Sequence, residues 1–432
     1  MNQPQSAHGN PSSPTGGAKH IELSSIHDFA AKLLQPEVLP RVKEYVLWHA
    51  KMRGAVEAGE LLDDLSSVPE FAPVSINLDI TTACNYACDH CVDMDILNQP
   101  IKYAHDNLRD SLKLMAEKGL KSVIVIGGGE PTVYRHFEDA ILYMKELGLQ
   151  VSIVSNGSGM ARIDKIADSL EEGDWIRLSL DSGSDPTFQA MHKPKRPITL
   201  DEICDGVKQV MRKPRPFKLG FSFIVTWRGA SINDTNIIEN IGEMQEGALR
   251  ARRYKFDYIS FKPFLNRAPE NNAEVVGIRE EEAHFEDTIA RIRTSVEEAR
   301  KLETEDFQVY EATNLKVLEN RSWHTYTEQP RHCHMQFFRQ VLSPLGMYNC
   351  PVYRNQPHGK LGVKEAYSSP EHLAQTRAET GRLIRDFDAN QQCKHVSCLY
   401  NHVNWWLEDL VQNPHKLDEL QAASMKEPDF FL

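Results

Sequence analysis

Three cysteines lie within eight residues, at Cys84, Cys88 and Cys91, shortly after a hydrophobic run. A cubic four-iron cluster usually takes four thiolates, and this loop offers three of them on one short piece of backbone. No fourth cysteine lies nearby in the sequence. One iron is therefore expected to remain open to a ligand that is not protein, like the open position of a catalytic zinc site. The spacing predicts a catalytic iron–sulfur centre.

Zinc is the first alternative for this loop. Zinc knuckles and ribbons mostly use C-x2-C pairs, followed at a set spacing by a second pair or by histidines. No such partner pair follows Cys91 at short range. A single buried cysteine is commonly an inert packed thiol, which is how we interpret Cys204, but three so close together favour the iron–sulfur interpretation.

The elements around the loop must bring its neighbours together. Short apolar runs alternate with helical patterns, and turn-forming residues follow each run. This alternation predicts an α/β fold with a parallel sheet, whose functional residues gather at the carboxyl ends of the strands. The predicted strands are 74–80, 122–126, 150–154, 175–180, 219–226 and 258–261.

A second motif, Gly128-Gly129-Glu130-Pro131, follows the second predicted strand. Together with the C-x3-C-x2-C loop it resembles the radical S-adenosylmethionine (SAM) superfamily. The resemblance implies a partial (β/α)6 barrel, a [4Fe-4S] cluster on the three cysteines, and a G-G-E-P turn that binds the amino group of SAM. The chemistry is reasonable, since glycines allow close backbone approach and a carboxylate pairs with an ammonium.

The resemblance also assigns cofactor contacts to three single residues. Asn156 follows the third strand in a polar turn, Ser179 ends the fourth strand, and His90 stands where relatives usually carry an aromatic ring near the adenine. Asp181 is open to a second interpretation, as a cap for the helix starting near Pro186. Arg177 shares a strand face with Ser179, and we interpret it as part of a structural ion pair.

Four late cysteines form a second group: Cys333, Cys350, Cys393 and Cys398. They resemble the SPASM and twitch extensions of radical SAM enzymes, which hold auxiliary iron–sulfur clusters. Four thiolates imply one closed [4Fe-4S] cluster that relays electrons. A structural zinc site is the alternative, with four cysteines or with three and one histidine. The candidate histidines are His332, His334 and His395.

These patterns divide the chain into five segments. The first is rich in Gly, Pro, Ser, Asn and Gln, which is typical of disorder, and the second has a helical period. The expected segments are a disordered tail (1–19), a helical N-terminal extension (20–73), the radical SAM core barrel (74–265), a helical linker (266–330) and the auxiliary-cluster domain (331–432).

Composition limits the possible partners. The 432 residues carry a net charge of −12, which argues against nucleic acid and anionic membranes as the main partners. No apolar run of eighteen residues appears, and the N-terminus lacks the apolar core of a signal peptide. Clustered thiols indicate a reducing compartment, and we expect a cytoplasmic protein.

The resemblance implies a function as well. One-electron reduction would cleave SAM to a 5′-deoxyadenosyl radical, which abstracts hydrogen from a small molecule or a peptide. The auxiliary cluster would then accept an electron from the substrate, giving net oxidation or a new bond. Flavodoxin or ferredoxin is the expected type of reductant. Three alternatives stay open: a SPASM-type maturase of ribosomal peptides, an iron–sulfur electron-transfer protein without SAM chemistry, and a zinc-stabilised binding protein.

Overall fold

The computed structural model describes residues 27–59, 67–232, 235–268, 274–278, 283–423, 425 and 427–432. The predicted disordered tail (1–19) lies outside the described residues, as do residues 20–26 of the predicted helical extension. The strands are β1 (Ser75–Leu78), β2 (Ser122–Val125), β3 (Gln150–Ser155), β4 (Trp175–Ser179), β5 (Lys218–Val225), β6 (Ser231–Ile232), β7 (Thr235–Asn236), β8 (Tyr258–Pro263), β9 (Leu265–Arg267), β10 (Glu274–Val276), β11 (Gln308–Glu311), β12 (Arg339–Ser343), β13 (Gly346–Tyr348) and β14 (Lys360–Gly362).

Ten of these strands form one sheet, in the order β11-β8-β5-β4-β3-β2-β1-β12-β13-β14. Each neighbouring pair from β11 to β12 is parallel, and β13 and β14 add antiparallel strands at one edge. All six predicted strands are present in it, so the predicted α/β fold is confirmed. Short hairpins β6-β7 and β9-β10 stand apart from this sheet.

Helices connect and cover the parallel strands. They are α1 (Phe29–Leu33), α2 (Leu39–Glu57), α3 (His105–Glu117), α4 (Phe137–Glu146), α5 (Met160–Ile166), α6 (Asp185–His192), α7 (Leu200–Val210), α8 (Met244–Arg253), α9 (Phe285–Arg300), α10 (Thr313–Glu319), α11 (Trp323–Thr327), α12 (Met335–Phe338), α13 (Pro370–Asp386), α14 (Ala389–Gln392) and α15 (Asn401–Gln412). No helix in the described ranges is both long and apolar enough to cross a membrane.

Alternation along the strands separates an outer apolar face from an inner polar face. Phe223 and Ile259 lie against Gly247 of α8, and Leu178 lies near Gly157, so these strand residues face the helices. Because successive side chains point to opposite faces, Arg177, Ser179, Ser222, Ile224, Tyr258, Ser260 and Lys262 face the interior of the barrel.

The sequence from Ile237 to Met244 has a helical pattern, which predicts a helix there. The structure instead has a 3-10 turn (Ile241–Glu243), which leads into α8. Asn240 explains why no helix begins earlier. Its Oδ1 accepts from Thr226 N and its Nδ2 donates to Ile224 O, each at 2.8 Å. These bonds hold the preceding segment against the end of β5 as a loop.

The boundaries predicted near 266 and 331 divide elements that share one sheet. The region 266–330, predicted as a helical linker, contains α9 to α11 but also β11, which pairs with β8. In the predicted auxiliary domain, β12 pairs with β1. Both strands cover open edges of the core sheet, and this pairing has no local sequence signal.

The two ends of the described chain meet below the sheet, at the amino ends of its strands. Lys32 of α1 lies 2.9 Å from the Asp429 carboxylate and donates to Phe431 O at 2.7 Å. Ser122 at the start of β2 donates to Phe430 O at 2.7 Å. The C-terminal segment therefore closes the end of the barrel opposite the cysteine loop.

Candidate functional site

The cysteine loop lies directly against the Gly128-Gly129-Glu130 turn. Glu130 N donates to Ala83 O at 2.9 Å. A Cβ added to Gly129 would meet Ala83 O at 2.2 Å, and one added to Gly128, whose φ is +70°, would meet Thr81 O at 2.6 Å. These glycines are therefore needed so that the two turns can pack backbone to backbone.

Glu130 is buried, and donors on two neighbouring turns surround its carboxylate. One oxygen accepts from Thr132 N (3.0 Å), Thr132 Oγ1 (2.6 Å) and Ser155 Oγ (2.8 Å), and the other accepts from Asn156 N (2.7 Å). Burial raises the pKa of Glu130, while these hydrogen bonds oppose the rise. The carboxylate thus joins the turn after β2 to the turn after β3. Pro131, also predicted as a cofactor contact, is buried at the start of a 3-10 turn.

Asn156 contacts the cysteine loop through its side chain. Its Nδ2 donates to Asn85 Oδ1 at 2.9 Å, and Asn85 donates to Ser158 Oγ at 2.8 Å. Asn85 was not singled out from the sequence, although it lies between two of the cysteines. The predicted residues Gly128, Gly129, Glu130 and Asn156 are therefore brought together around one loop.

The donor set of the loop suits an iron–sulfur cluster. Burial raises the pKa of all three thiols, that of Cys91 to about 12, so a metal must displace their protons. A single tetrahedral zinc ion would hold its sulfurs about 3.8 Å apart, given bonds of about 2.3 Å. Among the described residues, however, no three cysteine sulfurs lie within 4.8 Å of one another. Thiols that do not converge on one point are compatible with a cubane cluster, which takes each thiolate on a different iron.

His90 is held by a buried acid rather than facing open space. Its Nε2 lies 3.2 Å from Asp181 Oδ2, and His192 Nε2 lies 3.3 Å from the same oxygen. His192 Nδ1 is 3.3 Å from Cys88 Sγ. Although burial opposes it, hydrogen bonds from His192 and His90 hold the pKa of Asp181 below its ordinary value. Of the described ligand atoms, only these three converge within 4.8 Å.

Asp181 does not cap the following helix, so that alternative is wrong. Ser184 is the N-cap of α6, where its side chain accepts from Thr187 N. Asp181 instead has a left-handed backbone, with φ +52°, and its Oδ1 accepts from Ile224 N at 2.7 Å. An aspartate tolerates this conformation better than most residues. The turn directs the carboxylate to the two histidines.

Ser179 and Arg177 face the barrel interior below this acid. Within the described ranges the hydroxyl of Ser179 makes no hydrogen bond, and Arg177 has no ion pair with any described carboxylate. Arg177 lies 5.0 Å from the ring centroid of Trp175, and its Nε is buried without a partner. The ion pair predicted for Arg177 is therefore not found among the residues that the structure describes.

The four late cysteines line one common pocket. Burial raises the pKa of the Cys333, Cys393 and Cys398 thiols. Neighbouring cysteines raise the pKa of Cys393 and Cys398 further. The hairpin of β12 and β13, which turns at Gly346, separates Cys333 from Cys350. The structure therefore brings together cysteines that lie up to 65 positions apart in the sequence.

The three histidines proposed as alternative ligands do not line this cavity. His334 bonds Tyr45 OH at 2.8 Å and Glu408 Oε2 at 3.0 Å, and His332 bonds Ile384 O at 3.0 Å. His395 is exposed. The ligands that line the pocket are thus the four thiols. As in the first loop, no three of their sulfurs lie within 4.8 Å of one another, whereas a single zinc ion would bring them closer than this.

One arginine connects the two cysteine sites. Arg354, four residues after Cys350, donates to Asp93 Oδ2 at 2.8 Å and lies 3.5 Å from Asp79 Oδ1. Asp93, two residues after Cys91, also accepts from Gly128 N at 3.2 Å. Neither Arg354 nor His192 has a local sequence signal, because each contacts the loop only through the fold.

Comparisons with known proteins agree with this geometry. Residues 78–241 match the Radical SAM superfamily. An S-adenosylmethionine-dependent nucleotide dehydratase of Thermoplasmatales archaeon (strain ISO4-H5) is 35% identical over 124 residues, which are 28% of this chain and 41% of that protein. A protein of the same name from Selenomonas ruminantium is 25% identical over 199 residues, which are 44% of this chain and 70% of that protein.

The fold has solved counterparts. The crystal structure of Streptococcus suis SuiB covers 82% of this chain and 82% of its own, with 13% identity and a TM-score of 0.50. At this identity the likeness concerns the fold alone. Because the superfamily match spans both the cysteine loop and the Gly128–Pro131 turn, the chain carries a radical SAM domain over residues 78–241.

Proposed function

We propose that the protein is a radical SAM enzyme that abstracts hydrogen from a small molecule or a peptide. The observation that carries this proposal is the three-thiol loop, which is held against a glycine turn and has no fourth cysteine near it in the sequence. With SAM on its open iron, a reduced [4Fe-4S] cluster supplies a 5′-deoxyadenosyl radical. The protein's own contribution is to position the cofactor and exclude water.

The residues around the loop have distinct proposed roles. Cys84, Cys88 and Cys91 ligate the cluster, while Glu130 and Asn156 fix the turns beside it. Because the Glu130 carboxylate already accepts four hydrogen bonds from the protein, we propose that backbone carbonyls of the glycine turn accept from the amino group of SAM. The hydroxyl of Ser179, which makes no hydrogen bond within the described ranges, is proposed to contact SAM from the barrel interior. His90 is proposed to lie near the adenine of SAM.

We propose further that Cys333, Cys350, Cys393 and Cys398 hold a second [4Fe-4S] cluster. Their common cavity and the commitment of His332 and His334 to other partners support this ligand set. A cluster closed by four thiolates has no open iron, so it serves as an electron acceptor. A substrate radical would lose its electron to this site, which gives a net oxidation or a new bond.

Relatives leave two substrate classes open. Several carry names that specify nucleotides, including the two dehydratases and a GTP 3′,8-cyclase of Helicobacter pylori. Another is named mycofactocin maturase MftC, from Mycolicibacterium smegmatis. A nucleotide-sized molecule and a peptide are therefore both candidates, with a flavodoxin or ferredoxin as reductant.

Loss of a loop thiol is the decisive test. Under anaerobic conditions with dithionite, wild type should cleave SAM and Cys88→Ala should not. Cys204→Ala is the matched control, because Cys204 is buried in α7 far from both cysteine groups in sequence, and it should behave as wild type. Full cleavage by Cys88→Ala would disprove the site.

Iron content tests the second cluster. Wild type should bind about eight irons per chain, from two cubane clusters, and Cys393→Ala combined with Cys398→Ala should bind about four. About four irons in wild type, with zinc in addition, would favour the zinc alternative for the late cysteines.

A further inference from the structure

Arg339 is the one cationic side chain among the described residues that line the pocket of the late cysteines. It lies at the start of β12, and its guanidinium carbon is 5.5 Å from the ring centroid of Tyr400, which lines the same pocket. Within the described part of the chain no carboxylate lines this pocket. The four thiols therefore share their surroundings with a cation and with no competing acid.

The guanidinium of Arg339 has a donor that no protein group uses. One of its terminal nitrogens donates to Asn77 Oδ1 at 2.6 Å. Its Nε is buried and has no hydrogen-bond partner among the described residues, and Arg339 forms no ion pair with a described carboxylate. A buried N–H group without an acceptor is costly. A group bound in the pocket would supply the missing acceptor.

A second donor is directed at one of the cysteines. Asn404 of α15 is buried and lines the pocket, and its Nδ2 lies 3.7 Å from Cys333 Sγ. Its other side-chain atom accepts from His334 N at 2.9 Å and from Met335 N at 3.0 Å, so that atom must be the oxygen. These two bonds fix the orientation of the amide. Its NH2 group is therefore the part that faces the sulfur.

Cations and N–H donors beside an iron–sulfur cluster change its reduction potential. A cluster becomes more negative when it takes up an electron. The reduced form is therefore stabilised more than the oxidised form by a nearby positive charge and by hydrogen bonds to sulfur. Phe387 and Val396 also line the pocket, and their apolar surface strengthens such interactions by excluding water.

We infer that Arg339, together with Asn404, raises the reduction potential of the cluster held by the four late cysteines. A higher potential favours the transfer of one electron from the substrate radical, which is oxidised, to this cluster, which is reduced. The inference rests on the proposed function, because it gives a physical cause for the role of the second cluster as an electron acceptor.

An anaerobic redox titration of the holoenzyme, followed by electron paramagnetic resonance, tests this inference. The signal of the second cluster is the one that the double variant Cys393→Ala with Cys398→Ala lacks. Arg339→Met should lower the equilibrium constant for reduction of that cluster at least about tenfold, or about 59 mV for a one-electron couple. Arg339→Lys keeps the charge but loses the planar donor, so the decrease should be smaller. Arg382→Met is the matched control; this arginine is ion-paired on α13 outside the pocket, and its loss should leave the potential unchanged.

An unchanged potential in Arg339→Met would overturn the inference, and so would an equal decrease in the control. If Arg339→Met does not retain the second cluster, Arg339→Gln replaces it, because glutamine is neutral but can still donate to Asn77. Loss of the second cluster from both neutral variants would mean that Arg339 is needed for structure, which also overturns the inference. A wild-type protein with about four irons and no second signal would instead contradict the second cluster itself, so the two failures are distinguishable.

Discussion

At the scale of single residues, Glu130 is notable because both of its side-chain oxygens accept hydrogen bonds, which no neutral side chain of its size can match. It accepts four hydrogen bonds from Thr132, Ser155 and Asn156. Glutamine at this position keeps one oxygen but presents an amide NH2 to groups that also donate. The residue is therefore expected to stabilise the two turns beside the cofactor, in addition to any contact with SAM.

We predict that Glu130→Gln lowers the free energy of unfolding by about 2 kcal/mol, because buried donors lose their acceptor. Denaturant unfolding of the cluster-containing protein would measure the loss. Glu146→Gln, on the exposed side of α4, is the control and should change stability by less than about 0.5 kcal/mol. Equal stability of the two variants would show that the carboxylate is not held as described.

His27 gives a pH-dependent prediction. Burial, with smaller contributions from Lys32, Lys262 and Arg177, lowers its pKa from 6.5 to about 3. A base with a lowered folded pKa stays neutral in the native state while the unfolded chain takes up its proton. The stability that neutral His27 contributes is therefore lost as the pH falls below about 6.5, the pKa of histidine in the unfolded chain.

Between pH 8 and pH 5.5, wild type should accordingly lose about 1 kcal/mol more stability than His27→Gln. The measurement is denaturant unfolding of both proteins at the two pH values. Equal losses of unfolding free energy in the two proteins would contradict the lowered pKa of His27, and with it the buried, cationic surroundings of this residue.

At the scale of elements, the cysteine loop depends on a turn that must contain glycine. We predict that Gly129→Ala reduces bound iron at the loop although every thiol remains, because its Cβ would displace the backbone at Ala83. Iron analysis and SAM binding would detect the loss. Gly242→Ala is the control, since no atom lies within 4 Å of its added Cβ. Full iron content in Gly129→Ala would mean that the loop tolerates the shift.

The elements also show what the sequence could predict. The six core strands were predictable because each is a short apolar run followed by turn residues, which is a local signal. β11 could not be predicted in the same way, because its position in the sheet depends on pairing with β8, which lies about 50 residues earlier in the chain. The same division applies to the site. Cys84, Cys88, Cys91 and the glycine turn have recognisable spacing, whereas His192 and Arg354 reach the loop only through tertiary contacts.

At the scale of the whole molecule, the C-terminal region is continuous with the core. β12 extends the sheet beyond β1, and Arg339 at its start donates to Asn77 and lies near the late cysteines. Arg354 then reaches back to Asp79 and Asp93 beside the cysteine loop. The two cysteine sites are thus fixed relative to each other by a strand pairing and by one buried ionic network.

We predict that Arg354→Met destabilises the protein by about 3 kcal/mol or more, because it leaves two buried carboxylates without this cation. The double variant Arg354→Met with Asp93→Asn should be less destabilised than the sum of the single variants, with a coupling energy of at least about 1 kcal/mol. Denaturant unfolding of the four proteins completes the cycle. Strict additivity would mean that Asp93 and Arg354 act independently, and the ionic network would then not be what connects the C-terminal region to the cysteine loop.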